Sequence, residues 1–457
     1  MAGENLEPSP LTWLGGERRL ARRVGRPVRN FLAIEAASGV LLIGATFIAL
    51  VWANSPWSES YFDLLHTHIT VQFGDVLTLD ESIEHWVNDA LMAIFFFVVG
   101  LEIKRELVAG ELRDPRAAAL PAIAAVGGMV VPALFFVLFN AGGAGAQGWG
   151  IPMATDIAFA VGVVALLGNK VPSAMKVFLL TLAIVDDIGA IAVIAIFYTD
   201  DLSTDWLLVA VGITMIVVLM RTARVWYIPV YVFVGGFLWL AVFESGIHAT
   251  IAGVVLGLIT PARPLRSHSD RDEDEGEDPH IGAAISGRAS ASVVRRATFE
   301  IRERLSVADR LEDLLHPFSS FLIIPVFALA NAGIEISGDS ITDAATSDVT
   351  IGVVAGLVLG KLVGVSVFTW AAVRSGISSL PRGATMTHVV GLAAIAGIGF
   401  TVSLFITNLA FDDPSLVEEA KLGILVASIL AAIIGVLVLS RANEVIEIEM
   451  EDVGAAS

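Results

Sequence analysis

Residues 173–198, SAMKVFLLTLAIVDDIGAIAVIAIFY, make an apolar stretch of membrane-spanning length with two adjacent carboxylates, Asp186 and Asp187, near its middle. Placing one Asp at the centre of an inserted helix costs about 2.5–3.5 kcal/mol. A neighbouring pair must therefore be offset by a cavity, a bound cation or a proton, and the stretch reads as an ion site. The plainer reading is a paired Asp in the core helix of a water-soluble protein. Composition argues against it: 55% of the residues are hydrophobic, 16% are charged and the mean hydropathy is +0.76. Those values belong to an all-α polytopic membrane protein.

The net charge of −19 is concentrated in hydrophilic connections, so it describes the aqueous fringes of the chain and argues against nucleic-acid partners. The absence of Cys excludes disulfides and thiol catalysis. No cofactor is implied. Residues 1–30 hold six Arg and no apolar core long enough for a signal peptide, which suits a cytoplasmic tail.

The first apolar run, 31–52, is long enough to cross a bilayer, with Glu35 near its basic end, where water reaches it. Residues 69–79, ITVQFGDVLTL, alternate around Gly74-Asp75, and this spacing predicts a small extracytoplasmic β-hairpin with a two-residue turn. A second span, 86–103, opens with Asp89 and runs into GLEIKREL, where Glu102, Arg105 and Glu106 share one helix face; the bland alternative is a solvated helix end with ordinary ion pairs. After a third span, 117–139, the fourth (144–167) carries GIPMATDIAFAVG. Pro152 removes a donor there and Thr155 and Asp156 add polar groups, so the helix is expected to break. Asp156 then offsets the positive end of one half, or caps an ordinary helix start.

Spans six to eight are read at 205–220, 226–243 and 246–260, with His248 in the last, where a structural role is the usual one for a single His. The hydrophilic segment 261–313 begins with the linker-like RDEDEGEDP, and excising 267–290 is expected to leave activity intact. Its end places Val294, Ile301, Leu305, Ala308, Leu311 and Leu315 at helical steps, predicting an amphipathic surface helix that enters span nine at 314–333. Span ten, 349–372, has Lys361 at its centre, too deep to snorkel, so an internal acidic partner is expected. Span eleven, 388–411, is interrupted at Gly397–Phe400, and span twelve covers 420–440.

Lys and Arg alternate cleanly across these connections: 26 of the 28 fall in segments that would be cytoplasmic, leaving Lys361 and Lys421. That predicts 12 spans with both termini cytoplasmic. The organisation is then a tail (1–30), spans one to eight (31–260), a charged loop (261–313), spans nine to twelve (314–441) and an acidic tail (442–457). The interrupted spans four and eleven occupy matching places in triplets of opposite orientation. Such an inverted repeat with broken, crossing helices marks a midplane site.

VGLEIKREL, ATDIAFA, LAIVDDIGA, SGIHATIAG, LEDLLHP, LGK and GIGFTVSLFI together resemble the NhaA-type sodium/proton antiporters over nearly the whole chain. Members of that family are known examples of inverted-repeat transporters. The resemblance implies that Asp186 and Asp187 carry the ions, Na⁺ and with it Li⁺ in exchange for H⁺, that Thr155 and Asp156 lie where broken helices cross, and that Lys361 pairs with a site Asp. It implies a cytoplasmic pH-sensing cluster of Glu102, Arg105, Glu106 and Glu312, with His248 and Asp89 supporting it, and a homodimer formed in the lipid bilayer through the hairpin. The chain departs from the family in its long 261–313 segment and in Asp313, where a His is common.

A carboxylate withdrawn from water favours its protonated form, whereas a hard cation seeks oxygen ligands on the ionised form, so Na⁺ and H⁺ exclude each other. Neighbouring helix positions point about 100° apart. Both Asp side chains therefore border one cavity, or one binds the ion while the other contacts Lys361. An intramembrane aspartyl protease needs two facing Asp in a GxGD-like context, which VDDIG on one helix does not provide. A retinal pump needs about seven spans and an aromatic pocket, and only Phe368 and Trp370 lie near Lys361. The competing reading is a proton-coupled carrier of a different substrate on the same fold.

Overall fold

Apolar residues cover both the inward and the outward faces of the long helices, as expected where the solvent is hydrocarbon. The computed structural model describes residues 37–74, 77–199, 202–223, 225, 227–262, 306–381 and 383–442. The tail 1–30, Glu35, the linker-like RDEDEGEDP and the C-terminal tail from 443 lie outside the described residues.

In chain order the helices are α1 (Ala37–Ala53), α2 (Ser58–His66), α3 (Ile83–Val108), α4 (Pro115–Asn140), α5 (Ile157–Leu166), α6 (Ser173–Phe197), α7 (Thr204–Thr222), α8 (Ile228–Phe243), α9 (Thr250–Ile259), α10 (Val307–Asn331), α11 (Gly338–Thr346), α12 (Asp348–Arg374), α13 (Met386–Ile395), α14 (Phe400–Ala410) and α15 (Pro414–Ser440). Among the described residues seven of these are long and apolar enough to cross a membrane, and up to ten spans result if each of three bent helix pairs is one span. Two of those pairs matter here: a 3-10 segment Ala144–Met153 followed by α5, bent by 46°, and α13 followed by α14, bent by 48°.

The single described sheet is the expected hairpin, β1 (His68–Phe73) antiparallel to β2 (Leu77–Ser82). Its turn differs from the sequence expectation. Phe73 pairs with Leu77, so three residues connect the strands, and Gly74 takes φ +60°, a left-handed conformation that glycine adopts without a Cβ clash.

The amphipathic helix also differs. Ser306 is extended and its hydroxyl accepts from Asp309 N at 3.0 Å, while Asp309 Oδ2 accepts from Ser306 N at 3.3 Å. This capping box starts α10 at Val307, so the helix does not continue unbroken from residue 294; residues 294–305 lie outside the described region.

Three helices contain a single wide π turn, at Val87–Leu91 in α3, Ser319–Ile323 in α10 and Ala355–Gly360 in α12. The second ends two residues before Pro325, whose ring would clash with the carbonyl four residues back, within that turn, in an unbroken α-helix. The third lies directly before Lys361 and sets the face on which that side chain emerges.

Close approach of α4 and α12 completes the support for Lys361. A Cβ on Gly127 would lie 2.4 Å from Gly364 O, and one on Gly364 would lie 2.1 Å from Gly127 O. Only glycines allow the two backbones to touch there. Gly128, the next residue, faces the Lys361 stem, and a Cβ on it would come within 3.8 Å of Nζ.

Candidate ion-binding site

The two helix interruptions meet. Asp156 N donates to Ile398 O at 2.7 Å, Thr155 Oγ1 lies 2.8 Å from Ala396 O, and Ser403 Oγ donates to Ile151 O at 2.7 Å. Each break frees backbone groups that need partners away from water, and each supplies partners to the other.

Asp156 caps both half-helices that start at the crossing. Its Oδ1 accepts from Phe159 N at 3.0 Å, in the first turn of α5, and its Oδ2 accepts from Thr401 N at 3.1 Å and Thr401 Oγ1 at 2.6 Å, in the first turn of α14. One carboxylate thus meets two positive helix ends. Of the sequence alternatives for Asp156 the position at a break is the one found: it caps α5, but buried at the crossing and not at an ordinary helix start. Thr401 was not singled out from the sequence; the signal available was a hydroxyl one position beyond the GIGF interruption.

Asp186 and Lys361 are both fully buried, and the Lys361 ammonium is ion-paired to Asp186 Oδ2. Thr155 Oγ1 joins them, 2.8 Å from Asp186 Oδ2 and accepting from Lys361 Nζ at 3.0 Å. The other carboxylate oxygen, Asp186 Oδ1, is buried without a hydrogen-bond partner.

Asp187 is placed differently. It is buried, but no described group hydrogen-bonds its carboxylate, and it lines a cavity of about 580 Å³. Its ionisable neighbours are three acids, Asp186, Glu102 and Asp156, and the one base Lys361. The cavity also takes in Thr155, Asp156, Thr181 and Thr401 at its deep end and reaches Glu102, Arg105, Glu106, Glu111 and His316 at the other. Of the open sequence alternatives for the Asp pair, the arrangement found is the divided one: Asp186 on Lys361, Asp187 on the cavity.

Glu102, Arg105 and Glu106 sit together at the cavity mouth, where Arg105 is ion-paired to Glu312 of α10 and lies 3.9 Å from Glu106. His248 is not brought to them. It lies in the turn before α9, and α9 runs alongside α3 with Gly253 against Ala93 and Gly257 against Gly100, so His248 belongs to the opposite end from Glu102. Asp89 is likewise at that far end, where its carbonyl accepts from Trp239 Nε1 at 3.0 Å. Lys421, which the sequence placed beside a loop, is buried in the second turn of α15 and faces Glu84 and Glu418.

A family model described as Na⁺/H⁺ antiporter 1 matches residues 29–439. The chain belongs to this family. It is 47% identical over 423 residues to a Na⁺/H⁺ antiporter NhaA 3 of Frankia alni, covering 92% of this chain and 90% of the relative. It is 48% identical over 431 residues to a Na⁺/H⁺ antiporter NhaA 2 of Myxococcus xanthus, covering 93% and 90%. With a Na⁺/H⁺ antiporter NhaA of Vibrio campbellii the figure is 44% over 415 residues, covering 90% and 94%. Family membership and the apolar helices together make this a multi-pass membrane protein.

Proposed function

We propose that this protein is a transporter, not an enzyme, and exchanges Na⁺ for H⁺ across a bacterial inner membrane. The observation that carries the reading is the division of labour at the crossing: Asp187 faces the cavity without a protein partner, while Asp186 is held by Lys361 and Thr155. A bare carboxylate in a water-poor site is costly, so Asp187 holds either a proton or a cation, and exchange follows from the competition. When Na⁺ enters, the ionised Asp187, Asp186 Oδ1 and the Thr155 hydroxyl are the hard oxygen ligands within the site, and Li⁺ fits the same donors. Asp187 and the Asp186–Lys361 pair offer two protonatable positions for one cation, which supports electrogenic exchange, and the coupled groups titrate as a set.

The path is gated by alternating access around this fixed point. Counting the two crossing pairs as one span each, with α1, the short α8 and α9 and the seven long helices, gives twelve spans, and the two crossings are the centres of inverted repeats. The basic connections support a cytoplasmic position for the Glu102 end of the cavity and for both termini. Glu102, Arg105, Glu106 and Glu312 there bias opening according to pH, and the hairpin joins two copies. The segments 1–30, 261–313 and 442–457 are cytoplasmic attachments to the two helical blocks, 31–260 and 314–441.

The test is purified protein in proteoliposomes with a trapped pH dye. Added Na⁺ is expected to dissipate an imposed pH gradient, and Asp187→Asn to abolish the response. A gradient insensitive to Na⁺ and Li⁺ but dissipated by another solute would establish the competing carrier reading instead.

A further inference from the structure

The cavity stops at the crossing, and what closes the remaining distance toward the hairpin is built in two layers. α3 starts beside β2 at the hairpin and runs toward Glu102, whereas α10 and α14 run the opposite way. Next to the cavity floor these three helices contribute Phe96, Phe327 and Phe405, all buried, with Phe405 5.3 Å from the Phe96 ring centre and 6.3 Å from that of Phe327. One step further toward the hairpin, the same three helices contribute Asn88, Asn331 and Asn408.

These amides bond to one another. Asn88 Nδ2 donates to Asn331 Oδ1 at 3.2 Å, Asn331 Nδ2 donates back to Asn88 Oδ1 at 2.9 Å, and Asn408 Nδ2 donates to Asn331 Oδ1 at 2.5 Å. The remaining Asn331 donor goes to Phe327 O at 3.0 Å. Every hydrogen-bonding position of the Asn331 amide is used, and the residue has no exposed surface. An apolar plug would need none of this. A network that ties α3, α10 and α14 by side-chain amides alone is strong when dry and replaceable by water when wet, which suits a contact that forms and breaks in each cycle. The wide turn Val87–Leu91, which carries Asn88, is a place where α3 can change register without losing its whole hydrogen-bond ladder.

We propose that Asn88, Asn331 and Asn408 are the latch of the gate on the hairpin side, holding the Phe96, Phe327 and Phe405 plug shut while the cavity is open at Glu102. This rests on the alternating-access reading above.

Because the chain has no Cys, Val99→Cys introduces a single thiol on the cavity lining, one turn from Phe96. It is labelled with a membrane-impermeant maleimide from each side of oriented vesicles. In an Asn408→Leu background, labelling from the hairpin side is expected to rise about fivefold, the factor for losing one amide hydrogen bond of ordinary net strength, and by more in Asn331→Leu, which loses three bonds between helices; labelling from the Glu102 side is expected to fall in both. Asn408 is only partly buried and contributes a single bond, so its variant keeps the test valid if Asn331→Leu does not fold. Unchanged labelling from the hairpin side in the folded variants overturns the latch, as does an equal rise from both sides, which would mean general loosening. The labelling needs no transport, so absent Na⁺/H⁺ exchange in the unmodified protein would defeat the functional reading without deciding the latch.

Discussion

The Lys361 ammonium is paired with Asp186, and the carboxylate one residue further along the same helix, Asp187, takes no hydrogen bond from it or from any other described residue. The two acids therefore face different tests. Lys361→Ala leaves Asp186 buried without its counter-charge and is expected to lower stability by about 3–5 kcal/mol, read as a fall in the melting temperature of the purified protein. Asp187→Asn should leave the melting temperature near that of the parent and abolish exchange, since an amide neither releases a proton nor neutralises a cation. The double variant Asp186→Asn with Lys361→Gln removes both charges together and is expected to fold and exchange Na⁺ without net charge movement. An inactive, well-folded double variant would mean that exchange requires the charge of Asp186 as well as that of Asp187.

Asp156 acts on both half-helices at once, and substitution should separate its two caps. Asp156→Ala removes acceptors for Phe159 N, Thr401 N and Thr401 Oγ1, and the loss of two caps predicts about 1–4 kcal/mol of destabilisation. Asp156→Asn keeps one acceptor oxygen and should lie between Ala and the parent. Equal melting temperatures for all three proteins would show that the caps at the crossing contribute nothing.

Charges in apolar runs are conspicuous because they are costly, which is why Asp186, Asp187, Asp156 and Lys361 were legible before any coordinates. So were the two interruptions, through Pro152 and through the glycines of GIGF. Which Asp meets Lys361 was not legible, because adjacent positions diverge by about 100° and the answer depends on a helix crossing and on the wide turn before Lys361. Periodicity also carries the expected amphipathic helix through Ser306, where a side-chain cap marks a helix start. His248 was grouped with Glu102 by family resemblance, although the direction of α9 puts it at the other end. The three asparagines escaped notice since each is unremarkable alone and they meet only through tertiary packing.

The hairpin runs directly into α3, where Trp86 Nε1 donates to Ile69 O at 3.1 Å, but among the described residues its two strands pair as a sheet only with each other, leaving further backbone groups on their outer edges. Edge pairing across a two-fold axis would satisfy them. Deletion of residues 69–79 is therefore expected to convert a dimer into an active monomer, measured by light scattering in detergent alongside proteoliposome exchange. A folded deletion variant without transport would tie the hairpin to the mechanism.

At the cavity mouth, Arg105 links α3 to α10 through Glu312, and Glu102 and Glu106 lie on the same face of α3 beside it. Protonation of any of these carboxylates changes the charge balance between two helices that each line the cavity, and a shift between packed helices is the kind of two-state element that such a change can bias. Gln is a permanent stand-in for the protonated acid. Glu312→Gln removes the charge that holds Arg105, so the step in activity that Glu312 contributes should vanish from the pH profile and the pH of half-activation should move by about one unit, equivalent to 1.36 kcal/mol of coupling. Glu106→Gln should act in the same direction with a smaller effect, because its 3.9 Å contact with Arg105 is long and Arg105 is partly open to water. Both are measured as Na⁺-driven dye recovery across a pH series, with the exchange rate at the optimum as the control for folding. A profile unchanged in Glu102→Gln, Glu106→Gln and Glu312→Gln would remove the sensor from this end of the protein and leave the pH dependence to the crossing alone.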